Sequence, residues 1–284
     1  MMVRILAFLL LFALPAAAGQ PAKVWEAAGF ANPASVVWDG DSGAVYVSNV
    51  NGAAPDKDGN GYISKLSAAG KVLAEKWVTG LDGPKGMAVR TGRLFVADID
   101  RLVEIDTAAG KVVHTHTAEG AKLFTDVTID AQGAVYVSDM PADTIWRLAD
   151  GRLAPWLTDS RLQSPNGLKA ERDRLMVASW GPMAGNGLTA KAPGGLKAIR
   201  WSDRQIEDIA PDLGNLAGVE ADGSGGWLVS DYVKGLVLRV DRDGRSQAVL
   251  KLGPGSADIG IIPGRHLVLV PMMMDGTVAA WRLK

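Results

Sequence analysis

The sequence predicts an all-β fold, a six-bladed β-propeller of four-stranded blades closed by the N-terminal strand of the mature chain. Three observations lead there. Segments containing Ala34, Lys85, Asp126, Asn166, Ala217 and Asp258 align as one recurring opening, spaced 51, 41, 40, 51 and 41 residues apart. Each opening is followed within about ten residues by a second apolar run, then a third, with Gly/Asp turns between them, the rhythm of a propeller blade. Beyond the N-terminal segment, no long stretch carries the 3.6-residue period of a helix.

Residues 1–18 are predicted to be a secretory signal peptide. Arg4 precedes an apolar run from Ile5 to Leu14, and Pro15-Ala16-Ala17-Ala18-Gly19 supplies a small-residue cleavage site. The run is roughly half the ~20 residues of a membrane span. Cleavage after Ala18 would leave residues 19–284 as a single domain, periplasmic or secreted. The chain has no Cys, so it has no disulfides to rely on and no thiol chemistry.

After the signal comes a spare apolar strand, Lys23 to Ala28, expected to complete the last blade, because an open ring would leave strand edges exposed. Blade one opens at Pro33-Ala34-Ser35 and continues with Val45-Tyr46-Val47-Ser48-Asn49. Blade two pairs Pro84-Lys85-Gly86 with Leu94 to Asp98, and blade three pairs Thr125-Asp126 with Val135 to Asp139. Blade four opens at Pro165-Asn166-Gly167, blade five at Leu216-Ala217-Gly218 and blade six at Ala257-Asp258. The two spacings of 51 locate insertions between second and third strands, Val50 to Asn60 and Trp180 to Gly194. Both should overhang the face on which the openings begin.

With 30 basic and 31 acidic residues the chain lacks the electrostatic footprint of a nucleic-acid partner. Charge instead gathers at one face. The openings form an inner ring of Ala34, Lys85, Asp126, Asn166, Ala217 and Asp258, and the ends of the second strands form an outer ring of Asn49, Asp98, Asp139, Ser179, Asp231 and Met272. Converging carboxylates raise one another's pKa or recruit a cation. The repeated Asp98, Asp139 and Asp231 have two readings, ligand contacts or mortar that bonds backbone amides between blades. Trp180, inside the second insertion, either caps a ligand or anchors its loop.

At Ser164-Pro165-Asn166-Gly167-Leu168 and at the other openings the chain resembles the SMP-30/gluconolactonase/LRE-like propellers, over nearly all of the mature length. The resemblance implies a metal-dependent lactonase whose calcium or zinc ion is held by a Glu of blade one, an Asn of the Pro-Asn-Gly segment and an Asp of blade five. Asn166 is present, but Ala34 and Ala217 stand at the other two positions. A shifted site would use Asn166, Asp126 and Asp258, with Asp126 and Asp258 as the catalytic carboxylates and Lys85 as charge partner. Asp56-Lys57-Asp58-Gly59-Asn60-Gly61 spaces oxygen ligands as a calcium loop does, although Ser67 replaces the bidentate Glu at position twelve. No nucleophile elbow, zinc-protease helix motif or phosphate loop is present. Two functions therefore stand from the sequence: a small-ligand propeller that hydrolyses a sugar lactone or ester at a non-standard site, and a non-catalytic module that binds a ligand or a protein partner.

Overall fold

The structure is a computed structural model, and it describes residues 20–53, 55–185 and 189–283. The expected signal peptide and its cleavage site lie outside the described residues. Each repeat folds as one four-stranded antiparallel sheet. After an N-terminal strand β1 (Ala22–Ala28), blade one comprises β2 (Pro33–Asp39), β3 (Ala44–Asn49), β4 (Gly61–Ser67) and β5 (Val72–Leu81). Blade two comprises β6 (Pro84–Arg90), β7 (Arg93–Asp98), β8 (Arg101–Asp106) and β9 (Lys111–Thr117). Blade three is β10 (Phe124–Ile129), β11 (Val135–Asp139), β12 (Thr144–Ala149) and β13 (Arg152–Thr158). Blade four is β14 (Pro165–Ala170), β15 (Arg174–Ser179), β16 (Gly194–Arg200) and β17 (Ile206–Gly214). Blade five is β18 (Leu216–Ala221), β19 (Trp227–Asp231), β20 (Leu236–Val240) and β21 (Ser246–Lys251). Blade six is β22 (Gly260–Ile262), β23 (Leu267–Met272) and β24 (Thr277–Arg282), and β1 pairs antiparallel with β24 as its fourth strand.

The second strand of each blade carries a continuous apolar run because neighbouring blades cover both of its faces. β3, β11, β19 and β23 are buried at every residue. The core accordingly lies between blades. Tyr46 and Ile63 of blade one pack with Met87, Leu94 and Val96 of blade two, while Phe30, Val36 and Val47 pack with Leu269 and Val278 of blade six. Each such side chain stabilises by roughly 1.5–3 kcal/mol on burial, so the seams contribute most of the stability. Among the described residues, no helix is long and apolar enough to cross a membrane.

A bulge near the start of the innermost strands sets which residues face the central channel. Pro33 pairs with Asn49, Pro84 with Asp98, Phe124 with Asp139, Pro165 with Ser179 and Leu216 with Asp231, and in all five strands the register then shifts. Ser256 takes the same place opposite Met272 in blade six. The residue after each of these is Ala34, Lys85, Thr125, Asn166, Ala217 and Ala257. The expected inner ring is therefore corrected in two blades. Asp126 and Asp258 sit one residue further along the channel, level with Ser35, Gly86, Gly167 and Gly218.

Candidate functional site

Asp126 and Asp258 occupy opposite blades, three apart in the ring, and each fits because the preceding blade has Gly at the same level. A Cβ on Gly86 would collide with Asp126 Oδ1, and one on Gly218 with Asp258 Oδ1. Asp126 is only 3% exposed; Val127 N donates to its Oδ1 and Leu168 N to its Oδ2, both at 2.7 Å. Asp258 Oδ2 accepts from Ser35 Oγ at 2.6 Å. Burial pushes the Asp126 carboxyl well above its ordinary range, with the Asp258 charge adding to the effect and the two amides opposing it. Asp258 is raised to about 7, first by burial and then by Glu220, against the Ser35 hydrogen bond and the Lys169 charge.

Two residues further along the inner strands stand Lys169 of β14 and Glu220 of β18, which form an ion pair across the seam between blades four and five. Burial works against the Lys169 charge, but Glu220, joined by Asp126 and Asp258, holds its pKa above the ordinary lysine value. The cation these carboxylates face is thus Lys169. The expected charge partner, Lys85, donates to Gly83 O at 2.8 Å, and its pKa is lowered to about 8 by burial, with Asp98 partly offsetting that. Sequence reasoning missed Lys169 and Glu220. Their signal was the period of the inner strand: with the bulge allowed for, the fifth residue of each opening faces the axis, and only blades four and five carry charge there.

The four groups border a cavity of about 790 Å³ along the channel axis. Asp126 and Asp258 lie at its inner end, Val37 and Ile129 on its walls, and Trp38, Ser224 and His266 toward its mouth. Ser224 and His266 belong to turns between first and second strands, and Trp38 stands near the end of β2 beside another. The cavity therefore opens on the face opposite the two insertions, and Lys85, Asn166 and Trp180 are not among its lining residues. The expected site beneath the insertions is in this respect corrected: the deep recess is reached from the other side.

On the insertion-bearing face the outer ring is tied into the fold. Asp98 is fully buried and accepts from Gly83 N at 2.7 Å and Asp82 N at 3.0 Å, with the Arg101 guanidinium against it. Asp139 accepts from Lys122 N and Leu123 N, and Asp231 from Val233 N and Lys234 N. Asn49 accepts from Ala31 N and donates to Val47 O and Ser64 Oγ. The bonds of Asp98, Asp139 and Asn49 join the end of the second strand to the loop leading into the blade, the work of mortar, whereas those of Asp231 close the turn that follows its own strand. Trp180 is fixed through its backbone to Ser164 and Asn215, and its ring lies 5.7 Å from that of Tyr232.

The donors of the upper ring do not fit a divalent cation. Ala34, Ala217 and Ala257 offer no side-chain oxygen, Lys85 is an ammonium, and the Asn166 amide donates to Leu216 O at 3.1 Å. Asn166 also stands a level away from Asp126 and Asp258, so the shifted triad does not share one ring. In the first insertion Asp58 is engaged by Asn60, and Lys57 pairs with Asp100 beside Asp56. Among the described residues, no three His, Asp or Glu side chains are placed to hold one metal ion.

No protein-family model matches the sequence, and the search of curated proteins finds no match. Solved structures do match. A gluconolactonase from Xanthomonas campestris superposes with a TM-score of 0.71 at 15% identity, over 93% of this chain and 89% of that one. A streptogramin B lyase gives a TM-score of 0.64 at 14% identity, over 93% and 97%. A virginiamycin B lyase from Staphylococcus aureus gives 0.61 at 12% identity, over 88% and 80%. At such identities the likeness carries architecture and not chemistry. The chain has the six-bladed propeller fold of the gluconolactonase-like and streptogramin-lyase structures.

Proposed function

We propose that this chain is an exported propeller that binds a small polar molecule in its central channel and hydrolyses a lactone or ester bond there. The observation that carries the reading is the 790 Å³ recess ending on Asp126, Asp258, Lys169 and Glu220. A mostly apolar cavity with a few convergent polar groups is the usual anatomy of a small-molecule site. Likeness to a gluconolactonase agrees with it, and the N-terminal segment supports export.

The chemistry follows from the charges. A carboxylate titrating near 7 is suited to accept and return a proton at neutral pH. Asp258 takes the proton of the attacking water as its oxygen bonds to the carbonyl carbon. The Lys169 ammonium, kept charged by Glu220, stabilises the negative oxygen that develops. When the acyl C–O bond breaks, Asp258 returns the proton to the departing oxygen. Asp126, held protonated by burial, orients the substrate as a hydrogen-bond donor.

A second reading has its own observation. Both Asp126 oxygens already accept amides and Lys169 is already paired, an arrangement that also suits binding without turnover. Hydrolysis of a lactone and ester panel, with and without chelator, separates the two. The expected result is chelator-insensitive turnover that falls at least about 100-fold in Asp258→Asn. Ligand-induced stabilisation without turnover assigns the binding module, and neither result removes both readings.

A further inference from the structure

We propose that the ligand of this channel enters from the face opposite the two insertions and carries an organic ammonium group, held among Asp126, Asp258 and Glu220. The inference rests on the channel being the ligand site and names the chemistry of what binds there.

Of the elements around the inner end, β10 contributes Asp126, β14 Lys169, β18 Glu220 and the segment before β22 Asp258, while β2 and β6 contribute only uncharged Ser35, Val37, Gly86 and Ala88. Three carboxylates thus share one ammonium. Nearer the mouth, Asp222 and Arg239 lie 3.5 Å apart and offset each other, and His266 stands at the rim. Burial, and then repulsion among carboxylates that share one ammonium, drives Asp126 and Asp258 to keep protons. A guest ammonium would take the place of those protons as counter-charge. Its N–H groups would use the carboxylate lone pairs left over by Ser35, Val127 and Leu168.

Size selects the kind of cation. The carboxylates are spread across opposite blades, and no three of the described acidic or His side chains converge on a metal-sized point. A divalent ion needs several oxygens together at about 2.0–2.6 Å, whereas an alkylammonium can donate to one or two of these carboxylates at about 2.8 Å and gain from the charge of the rest through space. The walls fit the remainder of such a molecule: Val37 and Ile129 are apolar, and Trp38 near the mouth offers an aromatic surface to a second cationic end.

Calorimetric titration of the purified protein with 1,4-diaminobutane tests this, with 1,4-butanediol, succinate and calcium chloride alone as probes of equal length or simple charge. The expected result is that the diamine binds, releases protons, and gains about tenfold in affinity between about pH 6 and about pH 8, as the carboxylates ionise. Asp258→Asn should flatten that pH dependence and Lys169→Gln should tighten binding; if the first variant does not fold, Glu220→Gln serves, weakening the diamine. Tighter binding of the diol or succinate, competition by calcium, or an unresponsive diamine overturns the inference. Turnover of neutral lactones without diamine binding removes the ammonium alone, whereas loss of both removes the channel reading with it.

Discussion

Asp258 links the acid–base behaviour of the channel to the stability of the fold. Its carboxyl, and that of Asp126, keep protons in the folded chain at pH values where the unfolded chain, with carboxylates near 3.9, has lost them. Folding therefore takes up protons in this window. The sign for this pair is fixed: its contribution to stability is greatest toward the acid end and is lost as pH rises from about 4 to about 7. Asp258→Asn removes one of these groups. Urea unfolding should show the variant more stable than the parent by on the order of 2 kcal/mol at about pH 8, with the two curves converging near pH 4, allowing for solvent in the open cavity. An unchanged difference at both pH values would mean that Asp258 is ionised throughout. The presence of a carboxylate pair was legible in the sequence, but its level was not. Blades three and six have Asp where the others have Gly or Ser, so aligning on charge instead of on small residues slipped both by one position.

Among the elements, the seam between blades is built by a short device at the end of each second strand. Asp98 closes β7 and satisfies two amides of the loop that leads into β6, while it also holds Arg101. Ser138 and Ser230, one residue earlier in β11 and β19, donate to Asn166 O and Ala257 O in the next blade. The Val-Ser-Asp pattern showed these elements and their repetition clearly. It left open whether the acids were mortar or ligands, because that depends on which amides come within reach only after the ring is formed. Asp98→Ala leaves two N–H groups without their acceptor and removes one of the two carboxylates that hold Arg101, and should cost about 3 kcal/mol by thermal or urea unfolding. Affinity for a channel ligand should change by less than about threefold, since Asp98 lies on the other face of the disc. A large loss of affinity with unchanged stability would make Asp98 a ligand contact instead.

At the scale of the whole molecule, closure converts six weakly stable sheets into one cooperative unit. Sheets stacked in an open array would leave blade one and blade six with bare faces, and each face is apolar because it is built to be covered. The chain meets this by splitting blade six. β24 runs to Arg282, and β1, from the other end of the described chain, pairs with it from Ala22↔Arg282 to Ala28↔Thr277. Trp25 then reaches into blade one: its indole Nε1 donates to Ala68 O at 3.1 Å, and its ring fills the space beside Gly70, where a Cβ would collide with it. The clasp is therefore a strand pairing reinforced by one aromatic anchor. Removing residues 20–28 exposes the β24 edge and deletes that anchor. Loss of this half-buried, packed Trp costs about 3 kcal/mol, which for a chain of this size lowers Tm by roughly 5 °C. Trp25→Ala should reproduce most of that fall without aggregating, because its edge is still covered. The truncated chain should also aggregate, which light scattering during the melt would show. Equal Tm values for the truncated and full chains would place the closing interaction elsewhere, and a truncated chain that melts early without aggregating would separate the anchor from the edge.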